Sequence, residues 1–77
     1  MDTVVKFCEK SPTLKEAQEF VGGYVQTVEL DEGDVMIVNE EGLLQELPLN
    51  VEASDIAFQP IVGNVMIVSS DERGQDW

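Results

Sequence analysis

The sequence contains no histidine, one cysteine and only four basic residues among its 77 positions. The absence of histidine excludes the usual zinc sites and every histidine-based catalytic triad. Cys8 cannot form an internal disulfide, and a lone thiol is typical of a reducing cytoplasm or of a packing role. No apolar run exceeds four residues, so neither a membrane span nor a secretory leader is expected. These absences favour a cytoplasmic protein without metal or cofactor.

Acidic residues dominate the charge. Sixteen acids against four bases give a formal net charge of -12, which argues against a nucleic-acid partner because binding phosphates requires a basic face. Three interpretations remain open: solubility or adaptation to salt, attraction to a basic partner protein, and mimicry of nucleic acid by carboxylates.

The N-terminal half predicts a strand, a helix and a hairpin. Alternating apolar residues indicate a strand over 3–8. Thr13 followed by Glu16 forms a capping box that starts a helix, and Gly22-Gly23 ends it. Residues 24–30 alternate as a strand, and an acidic turn over 31–34 leads into a strand over 35–38 that is apolar at every position.

The C-terminal half predicts a short strand over 43–47, a helix over 51–58 capped by Asn50, and a last strand over 65–68. The resulting fold class is α+β: a mostly antiparallel sheet of four or five strands with two short helices, in the approximate order βαβββαβ. One domain over 1–69 is expected, followed by a polar C-terminal tail over 70–77.

The tetrapeptide Val-Met-Ile-Val occurs twice, at 35–38 and 65–68. Both copies predict adjacent or near-adjacent interior strands that are covered on two faces. Two short helices are expected to cover one face of the sheet, which leaves the other face in need of a second layer. Self-association as a dimer is therefore expected.

No constellation of residues indicates catalysis. The acidic turn does not have the alternating ligand spacing of a calcium loop, and no serine has a base to activate it. The polar residues expected to contact a ligand, if one binds, are Tyr24, Asn39 and Asn50. The expected acidic interaction surface comprises Glu29, Asp31, Glu32, Asp34, Glu40 and Glu41.

Several short motifs resemble a known family. They read Gly-Gly-Tyr-Val-Gln at 22–26, Asn-Glu-Glu-Gly-Leu-Leu at 39–44, Leu-Pro-Leu-Asn at 47–50 and Ile-Val-Gly-Asn-Val at 61–65. In this order they resemble a family of small domains of unknown function found mainly in bacteriophages and bacterial mobile elements. The resemblance supplies no catalytic residues, and it implies a phage accessory protein that acts inside a bacterial host.

We therefore expect a non-enzymatic accessory or interaction protein that binds a basic host protein. The alternative is a small-ligand binder that sequesters a metabolite or a nucleotide signal.

Overall fold

The computed structural model describes residues 3–71, except for the side chain of Glu32. Its elements are β1 (Val5–Cys8), α1 (Leu14–Val21), β2 (Val25–Glu29), a 3-10 turn (Asp31–Gly33), β3 (Val35–Asn39), α2 (Val51–Ala57) and β4 (Val65–Val68). The α+β class is confirmed. Most of the predicted tail over 70–77 falls outside the described residues.

The four strands form one sheet in the order β1-β4-β3-β2. The β2–β3 and β3–β4 pairs are antiparallel, whereas β1 pairs with β4 in parallel. The sheet is therefore mixed: the expected antiparallel pairing holds for two of its three strand pairs, and the third is parallel. The parallel pair follows from chain path, because α1 carries the chain across the sheet from one edge strand to the other, and both edges then run in the same direction.

The two Val-Met-Ile-Val segments pair with each other, as the prediction of adjacent interior strands requires. Val35 lies opposite Val68, and Met36 lies opposite Ile67. Because side chains alternate along a strand, each face of the sheet receives two valines, one isoleucine and one methionine. The α1 side takes Val35, Ile37, Met66 and Val68, and the α2 side takes Met36, Val38, Val65 and Ile67.

Each helix covers a different face of this central pair. Ala17 and Val21 of α1 pack into one apolar cluster, whereas Ala53 of α2 packs into the other. The prediction that both helices cover one face is wrong. A sheet with two equally apolar faces needs two layers, and a single helix on each face provides them within one chain.

Local sequence sets the ends of both helices. The Thr13–Glu16 capping box is confirmed: the Glu16 N–H donates to Thr13 Oγ1 at 3.1 Å, and the Thr13 N–H donates to Glu16 Oε1 at 2.9 Å. Gly22 ends α1 with a φ of 86°, a value that glycine adopts at little cost. Asn50 caps α2, which ends one residue earlier than predicted, at Ala57.

The predicted strand over 43–47 does not form. Residues 40–46 instead make successive turns held by short-range hydrogen bonds, including Gln45 N–H to the Glu41 carbonyl at 2.9 Å and Glu46 N–H to the Leu43 carbonyl at 3.2 Å. Glu46 has a φ of 56°, which is incompatible with an extended strand. The observed order is accordingly βαββαβ.

Candidate functional site: an apolar cleft with an acidic rim

A cleft of about 460 Å³ opens on the α2 side of the sheet, at the end where β2 begins and β3 ends. Its floor includes Val28 of β2 and Val38 of β3. One wall is the turn region over 40–46, and a second wall is the chain that returns from α2 to β4. The residues that line it are Gln26, Val28, Val38, Asn39, Glu40, Glu41, Gly42, Leu43, Leu44, Gln59, Pro60, Ile61 and Val62.

Leu43 and Leu44 form an exposed apolar pair on the first wall, with 80% and 82% of their surfaces accessible to solvent. The turn that carries them packs closely on the neighbouring chain at Gly42. A β-carbon added to Gly42 would lie 2.6 Å from Val62 Cγ2, so this position has no space for a side chain. The backbone is therefore fixed while the two leucine side chains extend into solvent.

A protruding corner formed by residues 58–60 flanks the other side of the cleft. Phe58 is 88% exposed and adopts the left-handed conformation with a φ of 56°. This conformation is unfavourable for a bulky side chain by roughly 1 kcal/mol. A large aromatic group that is both exposed and held in a strained backbone marks this corner as a candidate contact point.

Ser54 fixes the corner. Its Oγ donates to the Asn50 carbonyl at 2.8 Å and accepts a hydrogen bond from the Ile61 N–H at 2.8 Å. The Ile61 contact ties the chain after the corner to α2, whereas the Asn50 contact lies within α2 and its N-cap. The hydroxyl acts as a structural clamp, because its three partners, the Asn50 carbonyl and the N–H and carbonyl of Ile61, are all backbone groups.

Asn39 lies at the base of the cleft, but its side chain is buried and bonded within the protein. Its Nδ2 donates to the Val21 carbonyl at 3.0 Å and to Gln45 Oε1 at 3.2 Å, and its Oδ1 accepts from the Glu41 N–H at 2.8 Å. These bonds join α1, β3 and the turn region. A ligand contact by Asn39 stays a prediction, since its amide already has these three partners.

Asn50 is also buried, and it does not line the cleft. Its Oδ1 accepts from the Ala53 N–H at 3.0 Å, and its Nδ2 donates to the Gly63 carbonyl at 2.8 Å. It therefore caps α2 and binds the backbone of Gly63, two residues before β4 begins. Its role as a ligand contact likewise stays a prediction.

Tyr24 is largely exposed and lines a neighbouring hollow with Gln18, Gly23, Glu41 and Gln45. Its carbonyl accepts from the Glu40 N–H at 2.8 Å, so Tyr24, Asn39 and Glu40 meet at the same end of the sheet. Glu41 borders both the hollow and the cleft.

The predicted acidic surface divides between the two ends of the β2–β3 hairpin. Glu40 and Glu41 follow β3, whereas Glu29 ends β2 and Asp31, Glu32 and Asp34 lie between β2 and β3 at the other end. Along the strand direction the two groups are about 17–20 Å apart, given the ~3.3 Å rise per residue, because Glu29 pairs with Val35 and Glu40 lies five positions further along. Asp34 is engaged in a long-range contact within the fold, because its Oδ1 accepts from the Ser70 N–H at 2.9 Å.

Cys8 lies apart from the cleft, half-buried against the α1-side cluster. Burial raises the pKa of its thiol, and the nearby Lys6 acts in the opposite direction. A protonated, packed thiol fits the interpretation that Cys8 is structural.

Sequence reasoning missed Leu43, Leu44 and Phe58 as surface residues. The two leucines were assigned to a strand, and Phe58 was assigned to the end of a helix. A usable signal was present, because Leu43 and Leu44 are adjacent apolar residues between Gly42 and Gln45, and strict alternation would place only one of them in a core.

The chain matches the family described as Domain of unknown function (DUF3846) over residues 2–77. It belongs to this family. The match covers both strands of the central pair and both walls of the cleft, so the cleft is part of the DUF3846 domain. No curated protein and no solved structure shows significant similarity to the chain.

Two further observations apply to residues 3–71 of this DUF3846 domain. No helix in this range is long and apolar enough to cross a lipid bilayer. The described side chains also include no group of three or more cysteine, aspartate and glutamate residues placed to hold a metal ion.

Proposed function

We propose that this domain is a non-enzymatic protein-binding module and that its cleft receives an apolar side chain of a basic partner. The observation that carries the proposal is the position of exposed Leu43 and Leu44 on one side of the cleft and exposed Phe58 beside the other. Exposed apolar groups around a concave surface are typical of protein-binding sites.

The charge of the partner follows from the rim. Glu40 and Glu41 border the cleft, and the whole chain carries a net charge of -12. A basic partner is attracted over a distance by this charge, which accelerates encounter, while the apolar contacts hold the complex after it forms.

The proposal that the domain lacks catalytic activity rests on its side-chain chemistry. The chain has no histidine, and the hydroxyl of Ser54, which lies behind the cleft, is bonded to backbone groups. A hydroxyl without an adjacent base is a weak nucleophile.

We also propose that the partner is a bacterial protein met in the cytoplasm of a phage-infected cell. The support is the motif resemblance over residues 22–65 together with the lone, half-buried thiol of Cys8.

The experiment is affinity capture from bacterial lysate at low and high salt, with wild type, L43S/L44S and V51S. Val51 is exposed on α2 and does not line the cleft, so V51S controls for the loss of an exposed apolar residue. Wild type and V51S should retain the same proteins at low salt, and L43S/L44S should lose them. Capture that is unchanged in L43S/L44S would contradict the proposal.

A small-ligand binder is the second candidate, because a cleft of about 460 Å³ falls within the ~300–1,000 Å³ range of ligand pockets. Asn39 lies at its base, and Tyr24 lies in the adjoining hollow. Native mass spectrometry of the purified domain separates the two candidates, since a small molecule that stays bound through purification supports this second one.

Self-association is an alternative use of the same apolar surface. The sheet itself does not require a dimer, because α2 covers the face that was expected to lack a second layer. Exposed Leu43, Leu44 and Phe58 would form the contact between two copies. Sedimentation equilibrium at micromolar concentration tests this directly: a species of about twice 8.5 kDa supports the dimer, and a monomer contradicts it.

A further inference from the structure

β2 is an edge strand with backbone groups directed away from the sheet. The Leu30 N–H donates to the Asp34 carbonyl at 2.8 Å, and the Glu40 N–H donates to the Tyr24 carbonyl at 2.8 Å. Because residues of an antiparallel pair alternate in their bonding direction, residues 24, 26, 28 and 30 bond toward β3. Val25 and Thr27 therefore present their N–H and C=O groups outward, where no described residue pairs with them.

The opposite edge of the sheet is protected in a way that β2 is not. β1 has four residues and carries Lys6 in its centre, and a lysine on an edge strand opposes pairing with another strand. β2 has five residues, Val-Gln-Thr-Val-Glu, without lysine, proline or glycine. One of the two edges is thus open to strand addition.

The β2 edge also borders the cleft. Gln26 and Val28 point to the α2 side and line it. A strand added beside β2 would direct alternate side chains to that same side, next to the cleft, and the remaining side chains to the α1 side. We therefore expect apolar residues at the positions of the added strand that face the α2 side.

The acidic residues near the ends of β2 determine which other residue types the added strand should contain. Asp31 lies just beyond one end of β2, and Glu40 lies beside the other end. Antiparallel pairing with the β2 strand of a second copy would bring the acidic ends of the two chains, Asp31 of one and Glu40 of the other, to within about two strand spacings (~10 Å), and like charges oppose this contact. A segment with lysine or arginine at alternate positions meets attraction at both ends.

We propose that the partner binds as an extended segment of alternating apolar and basic residues that adds to β2 as a fifth strand. This inference rests on the proposed function and specifies its recognition mode. The backbone groups of Val25 and Thr27 supply the affinity, and the cleft beside Val28 selects for apolar side chains.

The first test uses a blocked nonapeptide of alternating lysine and valine as the probe, with alternating glutamate and valine as the control peptide. T27P removes the outward N–H of residue 27 without removing a bond to β3, and T27A keeps that N–H. The lysine peptide should bind wild type and T27A with similar affinity and bind T27P at least about tenfold more weakly. The glutamate peptide should not bind.

Amide hydrogen exchange provides a second measurement that needs no variant. Addition of the lysine peptide should slow exchange at Val25 and Thr27 and leave Val4, beside the opposite edge, unchanged. This readout decides the matter if T27P does not fold.

Failure of this inference differs from failure of the proposed function. Peptide binding that is equal in folded T27P and T27A, or unchanged exchange at Val25 and Thr27, overturns strand addition. Absence of lysine-peptide binding to wild type overturns it as well. In either case, loss of lysate capture in L43S/L44S would still support the cleft as a protein-binding site.

Discussion

Gly63 lies directly against the side chain of Leu47: a β-carbon added to Gly63 would lie 2.8 Å from Leu47 Cδ1. This contact seats the end of the turn region on the segment that leads into β4, next to the cleft wall formed by Ile61 and Val62. Gly63 also has a φ of 78°, so its backbone conformation and its surroundings both select glycine.

Gly63→Ala should therefore lower the free energy of unfolding more than Gly22→Ala does. Both glycines have positive φ, but nothing lies within 4 Å of a β-carbon at Gly22. We expect a loss of about 1 kcal/mol for Gly22→Ala from backbone conformation alone, and ~1–3 kcal/mol more for Gly63→Ala from overpacking. Urea unfolding of the two variants measures the difference, and equal losses would show that the Leu47 contact relaxes freely.

Met36→Asp and Ile37→Asp should each prevent or severely impair folding. Both side chains are fully buried, on opposite faces of the sheet, and burial of an unpaired carboxylate costs several kcal/mol. Gln26→Asp, at an exposed position of β2, is the control for an aspartate on a strand. Circular dichroism and thermal melting check the result, and a variant with wild-type stability would contradict burial of that face.

Two substitutions of Asn50 separate its two roles. Asn50→Asp keeps the acceptor for the Ala53 N–H but loses the donor to the Gly63 carbonyl. Asn50→Ala loses both, at a cost of about 1 kcal/mol for the N-cap. Asn50→Asp keeps the cap but places a carboxylate oxygen of a fully buried side chain against the Gly63 carbonyl, so we expect it to be the less stable of the two at neutral pH. If Asn50→Asp matches wild type, the clamp on Gly63 contributes nothing measurable.

The capping box should make α1 sensitive to acid. The hydrogen bond with the Thr13 backbone lowers the pKa of Glu16 below its usual range. A carboxyl whose folded pKa lies below its unfolded pKa contributes stability above the unfolded pKa, and this contribution disappears as the pH falls through the folded pKa. The window therefore lies below about pH 4.3, the ordinary value for glutamate.

Glu16→Gln should remove this part of the pH dependence, because glutamine keeps the acceptor oxygen but does not titrate. Urea unfolding at pH 6 and pH 3 should give a difference between wild type and Glu16→Gln that shrinks at the lower pH. Glu19→Gln, on the same helix but outside the capping box, is the control, and an identical acid response in both variants would refute a specific role for Glu16.

Moderate salt should stabilise the domain. The sixteen acids repel one another across a small surface, and about 0.15 M salt reduces the screening length to ~8 Å. The melting temperature should therefore rise between low and moderate sodium chloride, and the rise should be smaller in E40Q/E41Q. A flat curve for wild type would mean that its acidic residues do not destabilise the folded state.

The sequence predicted the burial of 35–38 and 65–68 correctly, because an apolar residue at every position of a strand requires cover on both faces. It did not predict which helix provides each cover. Periodicity reports which side chains share a face, but the path of a helix over the sheet depends on long-range contacts such as those of Ala17 and Ala53.

The cleft was not predictable for a related reason. Residues 43–47 have a composition compatible with a strand, and their local hydrogen bonds and the left-handed Glu46 become visible only in the folded chain. The contacts observed for Asn39 and Asn50 are contacts within the fold, and their predicted contacts with a ligand stay predictions.

The parallel pairing of β1 with β4 has a consequence for the order in which the chain folds. Val5 pairs with Val65, 60 positions later, whereas the β2–β3 hairpin closes through a short turn and can form early. At synthesis rates of ~5–20 residues per second, β1 waits roughly 3 to 12 seconds for its partner to be translated. During that interval Val5 and Phe7 have no strand to pair with, so the newly made N-terminal segment is the part of the chain most in need of chaperone protection.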